Sequence, residues 1–260
     1  MEQLAAVTGQ INVFLLVLTR VLGIIMTAPV LSSRNIPAQV KIGLSAIVSL
    51  SVFSVLKTGG VRTPDDLISY GMVLAGEVVV GLAIGFTANL IFSAIQLAGQ
   101  AIDMQLGFSI VSVIDPIHGT SVPQMGNFKF IVALLVYLVT NTHHFMFAAI
   151  IKSYQYVPLL TYSYRPAVTN VVMNAFGGSL EIATKIALPA VGVLLITDVA
   201  LGILARTVPQ MNIFVVGMPL KIYVGLFVIM LALPLFGMML SAMFDSSFTD
   251  LLKLMKAMGG

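Results

Sequence analysis

Residues 67–100 read LISYGMVLAGEVVVGLAIGFTANLIFSAIQLAGQ, an apolar run whose one charged residue is Glu77. Roughly twenty apolar residues cross a bilayer core of roughly 30 Å, and at roughly 1.5 Å per residue this run reaches roughly 50 Å as a helix. It is too long for an ordinary span and too apolar for a surface helix. The stretch therefore predicts an all-α, integral membrane-type protein whose helices are tilted, kinked or protruding.

Within the run, Glu77 sits among Gly71, Gly76, Gly81 and Gly85. The GxxxG formed by Gly81 and Gly85 lets a neighbouring helix approach backbone to backbone. A carboxylate in such a place reads as interhelical glue, protonated or hydrogen-bonded, with a proton relay as the alternative. Further on, Asn89, Ser93, Gln96, Gln100 and Asp103 recur at spacings of four, three, four and three, which sets them on one helical face. That polar seam reads either as an interhelical hydrogen-bond network or as the wall of an aqueous path. Before the run, Thr63-Pro64-Asp65-Asp66 supplies a hydroxyl cap, a proline at N1 and carboxylates at the positive helix end.

The seam leads into Gly107-Phe-Ser-Ile-Val-Ser-Val-Ile-Asp-Pro-Ile-His-Gly119, part of the longest break in apolar character, Gln96–Lys129. Its middle is not purely polar. Phe108, Ile110, Val111, Val113 and Ile114 give it an apolar centre, while Asp115-Pro116 and His118-Gly119 are turn formers. A loop meant only for solvent would not need that centre, so something is expected to close over it.

Elsewhere, apolar segments fall at about 11–31, 42–56, 128–151, 171–205 and 213–244. The second segment is short for a span; the last two are too long. Arg20, mid-way along the first, is expected to be buried with a partner. The segment at 128–151 reads as one ordinary span ending in Asn141-Thr-His-His144, an interfacial cap rather than a metal site. Glu181 and Lys185 form an i,i+4 pair. Asp198 and Arg206 lie on roughly one face and meet only through long side chains or across subunits. Pro189 should kink one long helix, and Pro219 and Pro234 interrupt the next. From Asp245 onward the chain reads as a short amphipathic tail, rich in adaptable methionines.

Composition sets the outer limits. Apolar residues make up 58% and charged residues 9%, against roughly 25% charged in globular proteins. With a net charge of +3 and no basic cluster, nucleic-acid binding is excluded. The absence of cysteine removes disulfides and thiolate chemistry. Met1-Glu2-Gln3 lacks a cationic n-region, so the first helix is expected to be retained. For six spans, Arg34, Lys41, Lys129, Arg206 and Lys221 stand on one side, against Lys57, Arg62, Lys152, Arg165, Lys253 and Lys256 on the other. The tie argues against six simple crossings.

The turn between the last two segments, Ala205-Arg-Thr-Val-Pro-Gln-Met-Asn-Ile-Phe-Val-Val-Gly-Met-Pro-Leu-Lys-Ile222, resembles the signature of the FliR family of flagellar type III export-gate proteins. Pro209, Gln210, Asn212, Phe214, Gly217, Pro219 and Lys221 carry the likeness. Arg20, Pro29, Pro37 and Lys41, Gly76-Glu77, Gly81, Gly85-Phe86, the Ala98–Asp103 run, Gly107–Ser109 and Asp115-Pro116 agree in order and spacing. Thr142 stands where the family usually has glycine.

The resemblance implies a single copy in a helical, closed export gate with FliP and FliQ homologues. That gate would contact FlhB and FlhA and pass unfolded flagellar substrates, in the bacterial inner membrane at the basal body. It implies a FliP-like half, 1–165, with a plug loop at about 104–127, and a FliQ-like hairpin and tail, 166–260. No cofactor and no catalysis are implied, and no P-loop or hydrolase motif accompanies the chain. The competing reading is a secondary transporter using Glu77, Asp103 and Asp198. Its halves would be expected to repeat, and these are unlike.

Overall fold

The computed structural model describes residues 2–33, 35–56, 63–64, 66–108, 123–162, 165–210 and 212–260, and side chains from Thr8 onward. The described residues form an all-helical protein with no strand. Its helices are α1 (Glu2–Thr27), α2 (Ala38–Val55), α3 (Leu67–Leu106), α4 (Gln124–Val139), α5 (Thr142–Tyr156), α6 (Pro166–Thr207) and α7 (Ile213–Gly259). Five of these, α1, α2, α3, α6 and α7, are long and apolar enough to cross a membrane. With 40, 42 and 47 residues, α3, α6 and α7 exceed any single span.

Three expectations change. The segment at 128–151 is not one helix. Asn141 takes a left-handed backbone (φ 56°), which ends α4 and lets α5 begin at Thr142. Asparagine tolerates that conformation, so glycine is not needed at Thr142. Pro219 and Pro234 do not interrupt α7, which runs through both, as α6 runs through Pro189. Each proline deletes one helical hydrogen bond, and the flanking turns keep the rest. The amphipathic tail is the last part of α7 itself, with Leu251, Leu254, Met255 and Met258 buried.

Chain contacts divide the protein into two compact units. Unit 1 comprises Met1–Leu90, Asn141–Phe176 and Asp245–Gly260, and unit 2 comprises Ile91–Thr140 and Gly177–Phe244. The division cuts across the 165/166 boundary, because helices of forty residues outrun a compact unit and belong to both.

Unit 1 centres on Val17, Val21 and Ile24 of α1, packed with Ile84 of α3, Ile150 of α5 and Leu254 of α7. The α1–α3 crossing is close because glycines face it. A Cβ at Gly81 would fall on the Arg20 carbonyl, and one at Gly85 on the Thr27 side chain and the Ile24 carbonyl. Helix α3 starts at Leu67 under an Asp66 cap, whose Oδ2 accepts from the Ser69 N–H and hydroxyl, both at 3.1 Å. The helix thus begins three residues later than a Thr63 cap would place it.

Unit 2 holds the end of α3 and all of α4, with most of the α6–α7 hairpin. Phe92 and Phe244 stack at 5.8 Å between centroids, Tyr137 meets both edge to face at 5.5 and 5.4 Å, and Phe130 lies edge-on to Phe92. A Cβ at Gly99 would strike the Gly126 backbone, so α3 and α4 touch main chain to main chain there. The hairpin's outer faces are bare. Leu195, Ile196, Val199, Phe214, Tyr223, Phe227 and Met230 are all exposed.

Candidate functional site

In unit 1, Arg20 and Glu77 meet inside the core. Arg20 Nε donates to Glu77 Oε2 at 2.5 Å, and the side chains are 0% and 1% exposed. Arg20 Nη1 donates to the carbonyls of Ser153 (3.1 Å) and Val157 (2.8 Å), and its guanidinium lies 4.4 Å from the centre of the Tyr154 ring. Tyr154 in turn donates to the Val17 carbonyl at 3.1 Å. Glu77 Oε1 accepts from the Leu160 N–H at 3.3 Å, and Leu160 holds a left-handed backbone (φ 70°) that few side chains favour. One carboxylate thus anchors α1, α3 and the strained turn after α5. Glu77 also edges an open cavity of about 320 Å³ beside Met72, Leu160 and Tyr162.

In unit 2, the end of α3 is a junction. Gly107, at φ 88°, closes the helix in a Schellman turn, with Phe108 N–H bonded to the Asp103 carbonyl (3.1 Å) and Gly107 N–H to the Met104 carbonyl (3.2 Å). Helix α4 begins after Pro123, which has no side chain to cap it. Asp103 supplies the cap from outside. Its oxygens accept from the N–H of Met125 at 3.0 and 3.1 Å and of Gly126 at 3.3 Å. Both ends of the intervening loop are therefore fixed to α3.

The neighbouring residues tie in the hairpin. Gln105 Nε2 donates to Asp198 Oδ2 at 2.7 Å, and Lys221 Nζ meets Asp198 Oδ1 at 2.7 Å. Leu106 packs where a side chain at Gly225 would stand. Asp198 thus turns to Lys221 and Gln105, while Arg206 is exposed. Sequence reasoning missed Gln105 and Lys221 as partners, because residues far apart in sequence and on different helices leave no periodic trace.

The turn signature acquires physical content here. Asn212 caps α7, its Oδ1 accepting from Phe214 N–H at 3.2 Å and Val215 N–H at 3.4 Å. Gly217 is buried with Leu201 against it, and Lys221 pairs with Asp198. Pro209, Gln210, Phe214 and Pro219 are exposed.

Of the seam, Asp103 is buried, Asn89 is half-buried, and Ser93, Gln96 and Gln100 are exposed. Glu181 and Lys185 form an exposed pair at 2.6 Å. Gly107 and Phe108 are in place, but Ser109, Ile110, Val111, Val113, Ile114, Asp115, Pro116, His118 and Gly119 lie outside the described residues. Lys41, Lys129, Lys152, Arg206 and Lys221, expected in the loops between spans, all stand within helices.

Residues 11–247 match the family described as bacterial export proteins, family 1. The chain belongs to this family. Curated relatives named "Flagellar biosynthetic protein FliR" agree over nearly full length. The one from Bacillus subtilis (strain 168) is 34% identical, covering 95% of both chains. That from Escherichia coli (strain K12) is 30% identical over 92% of this chain and 90% of the relative. The Pectobacterium carotovorum subsp. carotovorum protein is 33% identical over 90% and 88%. Family membership and the apolar helices together make this a multi-pass membrane protein of flagellar protein export.

Proposed function

We propose that the chain is a non-enzymatic structural and gating subunit of the flagellar type III export gate, in the bacterial inner membrane at the basal body. It would assemble there with FliP and FliQ homologues, contact FlhB and FlhA, and help form and close the path for unfolded flagellar substrates. The carrying observation is the α6–α7 hairpin of this FliR-family chain. Only 28% and 17% of the residues in the apolar stretches of α6 and α7 are buried. Apolar helices of that length exceed a bilayer, so lipid alone does not cover them, and partner helices of like composition would.

Closure falls to the loop from Gly107 to Gly119. The described residues on either side are held by the Gly107 turn and by the Asp103 cap on Met125 and Gly126, and its sequence carries Phe108, Ile110, Val111, Val113 and Ile114 as an apolar seal. The polar seam would line the path leading to it. The transporter reading asks Glu77, Asp103 and Asp198 to bind ions. Each already serves a structural partner: Arg20 and Leu160, the start of α4, and Lys221 with Gln105.

Co-purification of the chain with FliP and FliQ homologues in mild detergent tests the assembly. A functional lone homodimer would refute it. Deleting 107–123 should leave the complex assembled and the membrane leaky to small solutes. A tight membrane with no complex would refute the closing role.

A further inference from the structure

Among the described residues of unit 2, one buried cation has no anion beside it. Lys129, in the second turn of α4, is 4% exposed, and its Nζ lies 4.6 Å from the centre of the Phe236 ring on α7. Among the described residues no carboxylate bonds it. The carboxylates that unit 2 does describe are occupied: Asp103 caps α4, Glu181 pairs with Lys185, and Asp198 pairs with Lys221. An aromatic face partly offsets the charge, but a cation enclosed by apolar helices ordinarily has a counter-charge. The two elements that hold it also carry exposed apolar side chains, Phe128 and Ile131 on α4 and Leu235 and Met238 on α7.

We propose that Lys129 is an anchor for an aspartate or glutamate on an apolar helix of a partner subunit, which completes the ion pair as that helix covers α4 and α7. The proposal rests on the multi-subunit reading above and adds the chemistry of the contact. A lipid phosphate fits less well. It lies at headgroup level and draws a lysine outward, whereas Lys129 is folded inward onto a ring at the midpoint of α7.

The test co-expresses the tagged chain with FliP and FliQ homologues and measures partner recovered per folded chain. Variants are Lys129→Arg, Lys129→Met and Lys129→Glu. Arginine should retain the complex. Methionine, which keeps the length and loses the charge, should lower recovery by about tenfold or more, as when one member of a buried charge pair is removed. Glutamate should abolish it, and selection for regained motility should return an Asp→Lys or Glu→Lys change in an apolar helix of a partner. Where methionine also lowers the yield of the chain itself, that charge-reversal pair decides.

Wild-type recovery with Lys129→Met would overturn the proposal and leave the gate reading standing. So would rescue of Lys129→Glu by Asp115→Lys in the same chain, which makes the anion intramolecular. A variant that keeps its partners but loses bound phosphatidylglycerol would assign the site to lipid instead. If the wild-type chain recovers no partner, the gate reading fails first and this inference with it.

Discussion

Arg20 in unit 1 and Lys129 in unit 2 are both cations on apolar helices, both shut away from solvent, and both laid against an aromatic ring. Arg20 has a carboxylate and two carbonyls besides. Among the described residues Lys129 has the ring. The difference extends to the surroundings. Unit 1 gathers α1, α3, α5 and the end of α7 around its ion pair and sets each charge against the other. Arg20 Nη2 is the one guanidinium nitrogen left without a hydrogen bond among the described residues. Unit 2 presents bare hairpin faces and, among its described residues, a cation with no carboxylate beside it. The two regions thus treat a buried charge differently, one by pairing it internally and one by laying it on a ring.

The largest effect should come from breaking the internal pair. Glu77→Leu would strand the Arg20 guanidinium in the core, a loss of about 3–5 kcal/mol. Thermal unfolding in detergent should show it, and the Arg20→Met/Glu77→Leu double variant should regain most of the stability. A double variant as unstable as the single would mean that the pair is not what holds these helices.

Next comes Gly81→Leu, which drives a side chain into the Arg20 carbonyl and should cost about 1–3 kcal/mol by prising α1 from α3. Cysteine cross-linking between α1 and α3 should weaken in parallel. An unchanged cross-link would show the crossing to be looser than it looks.

Asp103→Ala removes the borrowed cap of α4, an expected loss of about 0.5–2 kcal/mol, and Asp103→Asn should lose less because one side-chain oxygen still accepts. Hydrogen exchange at Met125 and Gly126 should rise in the order wild type, Asn, Ala. The smallest effect belongs to Lys221→Met. Its pair with Asp198 is part-exposed and worth up to about 1 kcal/mol. Glu181→Ala, wholly at the surface, should leave the unfolding temperature unchanged. Equal losses from those two variants would erase the distinction between a tied and an untied hairpin.

Much of this was legible because apolar periodicity and length are local properties. The run at 67–100 and the close-approach glycines followed from length and spacing, and the burial of Arg20 from the cost of a lone charge in an apolar helix; that the glycines face α1 did not. What could not be read was partnership. Asp103 closes the polar seam in the sequence, but its role depends on Pro123, which leaves α4 without a cap of its own. Asp198 points to Lys221 through the hairpin's register, which no helical repeat encodes. The break at Asn141 was hidden because a single left-handed residue leaves the apolar pattern on either side intact. The prolines misled in the other direction, since a lost hydrogen bond is visible in a sequence and the dozens that remain are not.

The last turns of α7 have a consequence for how the protein is made. Leu251, Leu254, Met255 and Met258 lie in the same core as Val17 and Val21, and Gly259 is pressed against the Tyr156 carbonyl. Helix α1 is made well before these turns of α7 and therefore waits for them before its surroundings are complete. During that interval Arg20 and Glu77 can already pair, since α1 and α3 emerge early, while the pocket around them stays open on one side. Synthesis order thus leaves α1 uncovered on one side while α2 to α6 are made, and a ribosome stalled before α7 would release helices that are inserted but not yet enclosed.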